Sequence, residues 1–142
     1  MKLKLLFALL TGTILSSVSF AAEQAQATNS KAQVFIVEPA NGATVSSTFT
    51  VKFGAKGVEI APAGTDKPNS GHHHLLIDTE TLPDLNSPLP ASPTLIHFGK
   101  AQTETQITLT PGKHTLQLVL GNYAHIPGSN PIVSEKITVT VK

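Results

Sequence analysis

The apolar residues of this sequence recur with a period of two, and turn-forming residues break the pattern at short intervals. Phe49, Val51, Phe53 and Ala55 alternate with Thr48, Thr50, Lys52 and Gly54. Leu116, Leu118 and Leu120 alternate with Thr115, Gln117 and Val119, and Ile137, Val139 and Val141 with Lys136, Thr138 and Thr140. Side chains of an extended chain point to opposite sides in turn, so each run predicts a strand with one buried face. Weaker runs predict strands at 34–37, 73–78, 96–98 and 105–109. Pro39-Ala40-Asn41-Gly42, Pro111-Gly112 and Pro127-Gly128 separate them as turns. No segment carries a helical period, and ten prolines and ten glycines would interrupt one. About seven short strands within about 110 residues predict an all-β, immunoglobulin-like β-sandwich, with a small β-barrel as the alternative. The proline-rich stretch from Thr79 to Thr94 is expected to cross between sheets or to form an extended edge.

The first residues stand outside that pattern. Lys2 and Lys4 precede an apolar run, Leu5 to Leu10 with Ile14, Leu15 and Val18, and Ser19-Phe20-Ala21 supplies small residues before Ala22. This is the layout of a cleavable signal peptide over residues 1–21, and the run is short for a membrane span. Cleavage after Ala27 is the alternative. Residues 22–33 are polar and alanine-rich and read as a flexible leader to a domain spanning 34–142. No cysteine follows the apolar run, so a lipid anchor is not expected, and the product should be periplasmic or secreted with no membrane anchor after cleavage. It also carries no disulfide, leaving stability to packing and strand pairing.

Charge narrows the partners. Cleavage removes two of the ten lysines, leaving eight against nine carboxylates and no arginine. Nucleic acid is thereby excluded as an expected partner, since neither guanidinium forks nor a lysine cluster is available for phosphate. The only methionine is Met1, so the processed chain offers no soft sulfur ligand. What remains is a divalent metal ion or a partner in the cell envelope.

Several ordered motifs resemble those of an uncharacterised family of small exported bacterial β-domains. They are Gly71-His72-His73-His74-Leu75-Leu76-Ile77-Asp78, then His97-Phe98-Gly99-Lys100 running into Gln102-Thr103-Glu104, then Pro111-Gly112-Lys113-His114-Thr115-Leu116-Gln117-Leu118, and the closing Ser134-Glu135-Lys136-Ile137-Thr138-Val139. The resemblance runs from about Val34 to Lys142 and implies export and the β-fold, but no activity. Two positions depart from the family: Ala101 stands where a glycine is usual, and His125-Ile126-Pro127-Gly128 lacks a second histidine.

Six histidines are the compositional oddity. His72 and His74, two apart on a strand, share one face at a Cβ spacing of roughly 6.5–7 Å, and His73 takes the other face. In a seven-strand sandwich the third strand starts, and the fourth and sixth strands finish, at one end. That brings His72, His74, His97 and His125 together, with Glu104 opening the fifth strand as a possible further ligand. Asp78 is expected to orient a ring from outside the ligand set. Imidazoles without sulfur suit Cu(II), Zn(II) or Ni(II) rather than Cu(I), and a shared ion requires ring nitrogens within roughly 5 Å of each other. The competing readings are a structural or interaction domain whose histidines only satisfy backbone hydrogen bonds, ligand binding, and a pH response. A metal-dependent enzyme ranks behind these.

The other features are blander. His114 reads as a satisfied residue at the core edge, and Phe98 as core rather than pocket lining with Tyr123. Ser70 lies beside the histidines, but no third group or oxyanion hole accompanies it, so no catalytic residue is assigned. Gly42, Gly71, Gly99, Gly112 and Gly121 are expected to serve turns at positive φ.

Overall fold

The computed structural model describes residues 31–142, and the signal-peptide assignment lies outside them, as does all but the end of the leader. Nine strands follow in order: β1 (Gln33–Glu38), β2 (Thr44–Val45), β3 (Thr48–Lys56), β4 (Glu59–Ile60), β5 (Ser70–Ile77), β6 (Leu95–His97), β7 (Glu104–Thr108), β8 (Gly112–Gly121) and β9 (Ile137–Val141). All seven strands expected from the alternation are present. The two additional ones, β2 and β4, are two residues long and attach in parallel to β9 and β5. There is no helix among the described residues.

The strands form two sheets packed face to face, an immunoglobulin-like β-sandwich. One sheet is antiparallel in the order β1-β3-β7; the other runs β2-β9-β8-β5-β4, with β6 also paired to β5. Between them the alternating side chains of both sheets interdigitate: Val34, Phe49, Val51, Phe53 and Ile107 meet Leu75, Ile77, Leu116, Leu118, Leu120, Val139 and Val141. Phe98 joins this core, its ring centroid 4.8 Å from that of Phe53.

The outer face of the second sheet is covered too. Leu76, Leu95 and Val119 point away from the sandwich and are buried beneath Leu89, with Leu82 and Leu85 packed alongside. The stretch from Thr79 to Thr94 therefore does not cross between sheets. It leaves β5 and returns as β6, the antiparallel neighbour of β5, and in between it folds as a flap over that outer face. A strand buried on both sides loses its polar alternation. Every residue of β5 from Gly71 to Ile77 is buried.

A candidate metal centre beneath the flap

Each histidine of interest is placed by the ladder that carries it. β5 pairs with β8 on one side, aligning His72 with Gly121 and His74 with Val119. On its other side it pairs with β6, aligning His74 with His97. Parity puts His72 and His74 on the same side as Leu76, on the outer face under the flap, and His97 beside them. His125 arrives from the loop after β8. There Asn122 Oδ1 accepts hydrogen bonds from the backbone N–H groups of Ala124 (2.9 Å) and Ile126 (3.0 Å), an Asx-type turn. His125 takes a left-handed backbone, φ 65°, and its carbonyl accepts the Leu89 N–H of the flap at 3.0 Å.

The result is a compact cluster of four imidazoles. Centroid separations are 4.8 Å for His72–His74, 4.9 Å for both His72–His97 and His72–His125, and 4.5 Å for His97–His125. His74 lies 5.2 Å from His97 and 5.9 Å from His125. One ring nitrogen from each residue can be chosen so that all four lie within 4.8 Å of one another. His72 and His74 are fully buried, and His97 and His125 are half-buried.

Two glycines make the room. A Cβ on Gly121 would sit 2.6 Å from His74 Cε1 and 3.2 Å from His125 Cα, and one on Gly99 would reach 2.7 Å from His97 Nε2. Gly71, Gly99 and Gly121 are not at positive φ, contrary to the turn role expected of them; of that group, only Gly42 and Gly112 are. The three serve close approach instead. In the sequence a glycine at a strand end reads as a turn, so the signal pointed elsewhere.

The hydrogen bonding within the cluster is incomplete. His72 Nε2 and His125 Nδ1 lie 3.0 Å apart, one donating to the other. His72 Nδ1, both nitrogens of His74 and His97 Nε2 are buried with no partner in the protein. A buried polar atom left unpaired costs about 1–3 kcal/mol, so four of them weigh heavily against the 5–15 kcal/mol stability of an ordinary domain. Burial, and then the neighbouring imidazoles, also hold His72, His74 and His97 neutral. His72 is pushed down to about 4 and His74 to about 3, and His97 is lowered for the same reasons. Neutral imidazoles with free lone pairs converging on one point are what a borderline divalent cation takes as ligands.

The other expected site residues lie elsewhere. Glu104 opens β7 in the opposite sheet, exposed and in register with Lys52, because β7 pairs with β3 rather than joining the histidine-bearing sheet. Asp78 lies beyond the far end of β5. It accepts the Thr115 N–H at 2.8 Å and lies 2.7 Å from His114 Nδ1, so it orients His114 and none of the cluster. His114 Nε2 reaches the Thr110 carbonyl at 2.8 Å, and both its nitrogens are satisfied. Ser70 Oγ donates to the Lys67 carbonyl at 2.8 Å and is spoken for structurally. Tyr123 is exposed. His73 faces the sandwich core, where its ring packs 5.3 Å from Phe53 with neither nitrogen hydrogen-bonded. Burial lowers it to about 4.

No curated protein matches the chain at a significant level. Among solved structures, the fibronectin(III)-like modules of Clostridium thermocellum CbhA are similar at 13% identity, with 78% of this chain and 96% of that chain covered and a TM-score of 0.42. A family model matches residues 51–142, leaving out β1 and β2, which the sequence resemblance had included. That match covers well over half of the sequence, and the chain belongs to the family described as Domain of unknown function (DUF4399).

Proposed function

We propose that this protein is an exported, non-catalytic module of the cell envelope that binds one divalent transition-metal ion, Cu(II) or Zn(II), through His72, His74, His97 and His125. The observation that carries this reading is the clustering of four imidazoles, two of them buried and two half-buried, with ligand atoms within 4.8 Å of one another and four buried ring nitrogens lacking protein partners. An ion at their centre takes one nitrogen from each ring. Zn–N bonds of about 2.0–2.1 Å place tetrahedral nitrogens about 3.3 Å apart, so the cluster needs only a small contraction.

A purely architectural role fits less well. Histidines that pin strand ends do so through backbone carbonyls, as His114 does on Thr110; the four clustered rings make no such bond. The all-imidazole set argues for binding rather than hydrolysis, since no carboxylate stands among the four as a general base. Export rests on the signal-peptide pattern of residues 1–21.

The test is titration of the purified protein with Cu(II) and Zn(II), followed by calorimetry and thermal melting. One equivalent should bind and raise the melting temperature, because a ligand held only by the folded state stabilises it by mass action. The His72→Ala/His74→Ala double variant should bind neither ion. Unchanged affinity in that variant, or no binding by the native protein, refutes the reading.

A further inference from the structure

The four ligands are not equivalent in how they are held. His72 and His74 sit within β5, both paired to β8, and His97 is locked opposite His74 in the β5–β6 ladder. The Phe98 N–H to His73 carbonyl bond (3.1 Å) extends that anchorage beyond His97. His125 alone comes from a loop. Its left-handed backbone is an uncommon, disfavoured one for a residue with a Cβ. It is half-buried, as His97 is, whereas His72 and His74 are closed off from solvent.

We infer that His72, His74 and His97 form a fixed three-histidine platform and that His125 occupies an exchangeable fourth position, which an incoming imidazole takes when the ion is handed on. The inference rests on the metal-binding reading above. The exchange is a ligand substitution: the bond from the ion to the His125 nitrogen breaks as the bond to the incoming imidazole nitrogen forms. The ion keeps its oxidation state, and an imidazole replaces an imidazole. The strand-borne ligands cannot leave without breaking the ladder, whereas the loop ligand leaves by relaxing a strained backbone.

The experiment loads the full protein with one equivalent of Cu(II). It follows the copper by electron paramagnetic resonance and by competition with a chelator, using free imidazole as the probe. His125→Ala should still bind one Cu(II), about tenfold more weakly, and imidazole should restore the four-nitrogen spectrum of the native protein. His97→Ala should lose roughly 100–1,000-fold, the share of one fixed ligand, and imidazole should not restore it. In the native protein, imidazole should speed transfer of copper to the chelator. Equal losses and equal rescue in the two variants overturn the inference, as does an unchanged spectrum in His125→Ala. If His97→Ala fails to fold, the rescue of His125→Ala decides alone: restoration supports the exchangeable position, and its absence refutes it. A native protein that binds no metal would instead refute the reading on which the inference stands.

Discussion

Replacing Gly121 by alanine tests the construction of the cluster with a single added carbon. The backbone at Gly121 is not in the left-handed region, so alanine meets no conformational penalty there and gains about 0.4–1 kcal/mol from a less flexible unfolded chain. Against that, the new Cβ lies 2.6 Å from His74 Cε1, 3.1 Å from His74 Nδ1 and 3.2 Å from His125 Cα. Ordinary contact lies near 3.5–4.0 Å, so the His74 ring must retreat by about 1 Å inside a buried strand. Overpacking of that kind costs about 1–3 kcal/mol, leaving a net loss of about 1–2 kcal/mol. In a domain of this size that is a fall of roughly 5–10 °C in melting temperature. The same displacement moves one ligand off the common point, so Cu(II) or Zn(II) affinity should fall by at least about tenfold. Gly42→Ala is the control. At φ 82° with open space around its Cβ, it should cost about 1 kcal/mol through the backbone alone and leave metal affinity intact. Thermal melting and competition titration of both variants decide the matter. If Gly121→Ala melts and binds as the native protein does, the glycine does not make room for His74 and the packing argument fails.

Three further outcomes are expected. Ala101 is held at φ 59°; Ala101→Gly should relieve about 1–2 kcal/mol of left-handed strain, offset by about 0.4–1 kcal/mol of unfolded-chain entropy, and so raise the urea midpoint. The hydrogen bond to Asp78, then the one to the Thr110 carbonyl, raises His114 above its usual value, so its stabilising contribution is complete below about pH 6.5 and fades as pH rises through the folded-state value. Asp78→Asn should flatten that alkaline limb of a melting-temperature profile, and an unchanged limb would refute the assignment. Finally, His72, His73 and His74 are lowered by burial to about 4, 4 and 3, so the unfolded chain binds up to three more protons between about pH 6.5 and 4. Metal-free protein should lose up to about 4 kcal/mol per pH unit in that window and unfold near pH 5, whereas circular dichroism unchanged from pH 7 to 4 would contradict the burial of the three rings.

Much of this molecule is legible in its sequence, and each part that is not has its own physical cause. β3, β8 and β9 each carry three or more alternating apolar positions, enough to fix both strand and face. β2 and β4, two residues each, are too short to display a period. The four clustered histidines follow from a two-residue spacing and from the strand order that brings His97 alongside. Glu104 fails because its strand joins the other sheet, and no local feature of Glu104–Thr108 tells which sheet will take it. Asp78 fails for a different reason: eight residues of extended chain separate the two ends of β5, and Asp78 lies at the end away from His72. The flap is the largest omission. Its leucines at 82, 85 and 89 are interrupted by Pro83, Pro88 and Pro90, so they have the chemistry of a core but no regular spacing to announce one.

One signal of the flap was nevertheless present, in the unbroken run Leu75-Leu76-Ile77 that follows the histidines. A half-buried strand would place a polar residue at 76, and an apolar one there needs a second cover. Val119, on the neighbouring strand and the same face, makes the same demand. The cover that satisfies both leucine and valine lies on the face that also carries His74 and His72, two and four residues earlier on β5. The flap is moreover tied to the loop bearing the fourth histidine: Leu89 N–H donates to the His125 carbonyl at 3.0 Å, and Gly128 N–H to the Leu85 carbonyl at 2.7 Å. If the proposed ion is released by displacing His125, those two backbone bonds should carry the displacement to the flap, which would give the irregular, proline-interrupted segment a part that its sequence alone does not advertise.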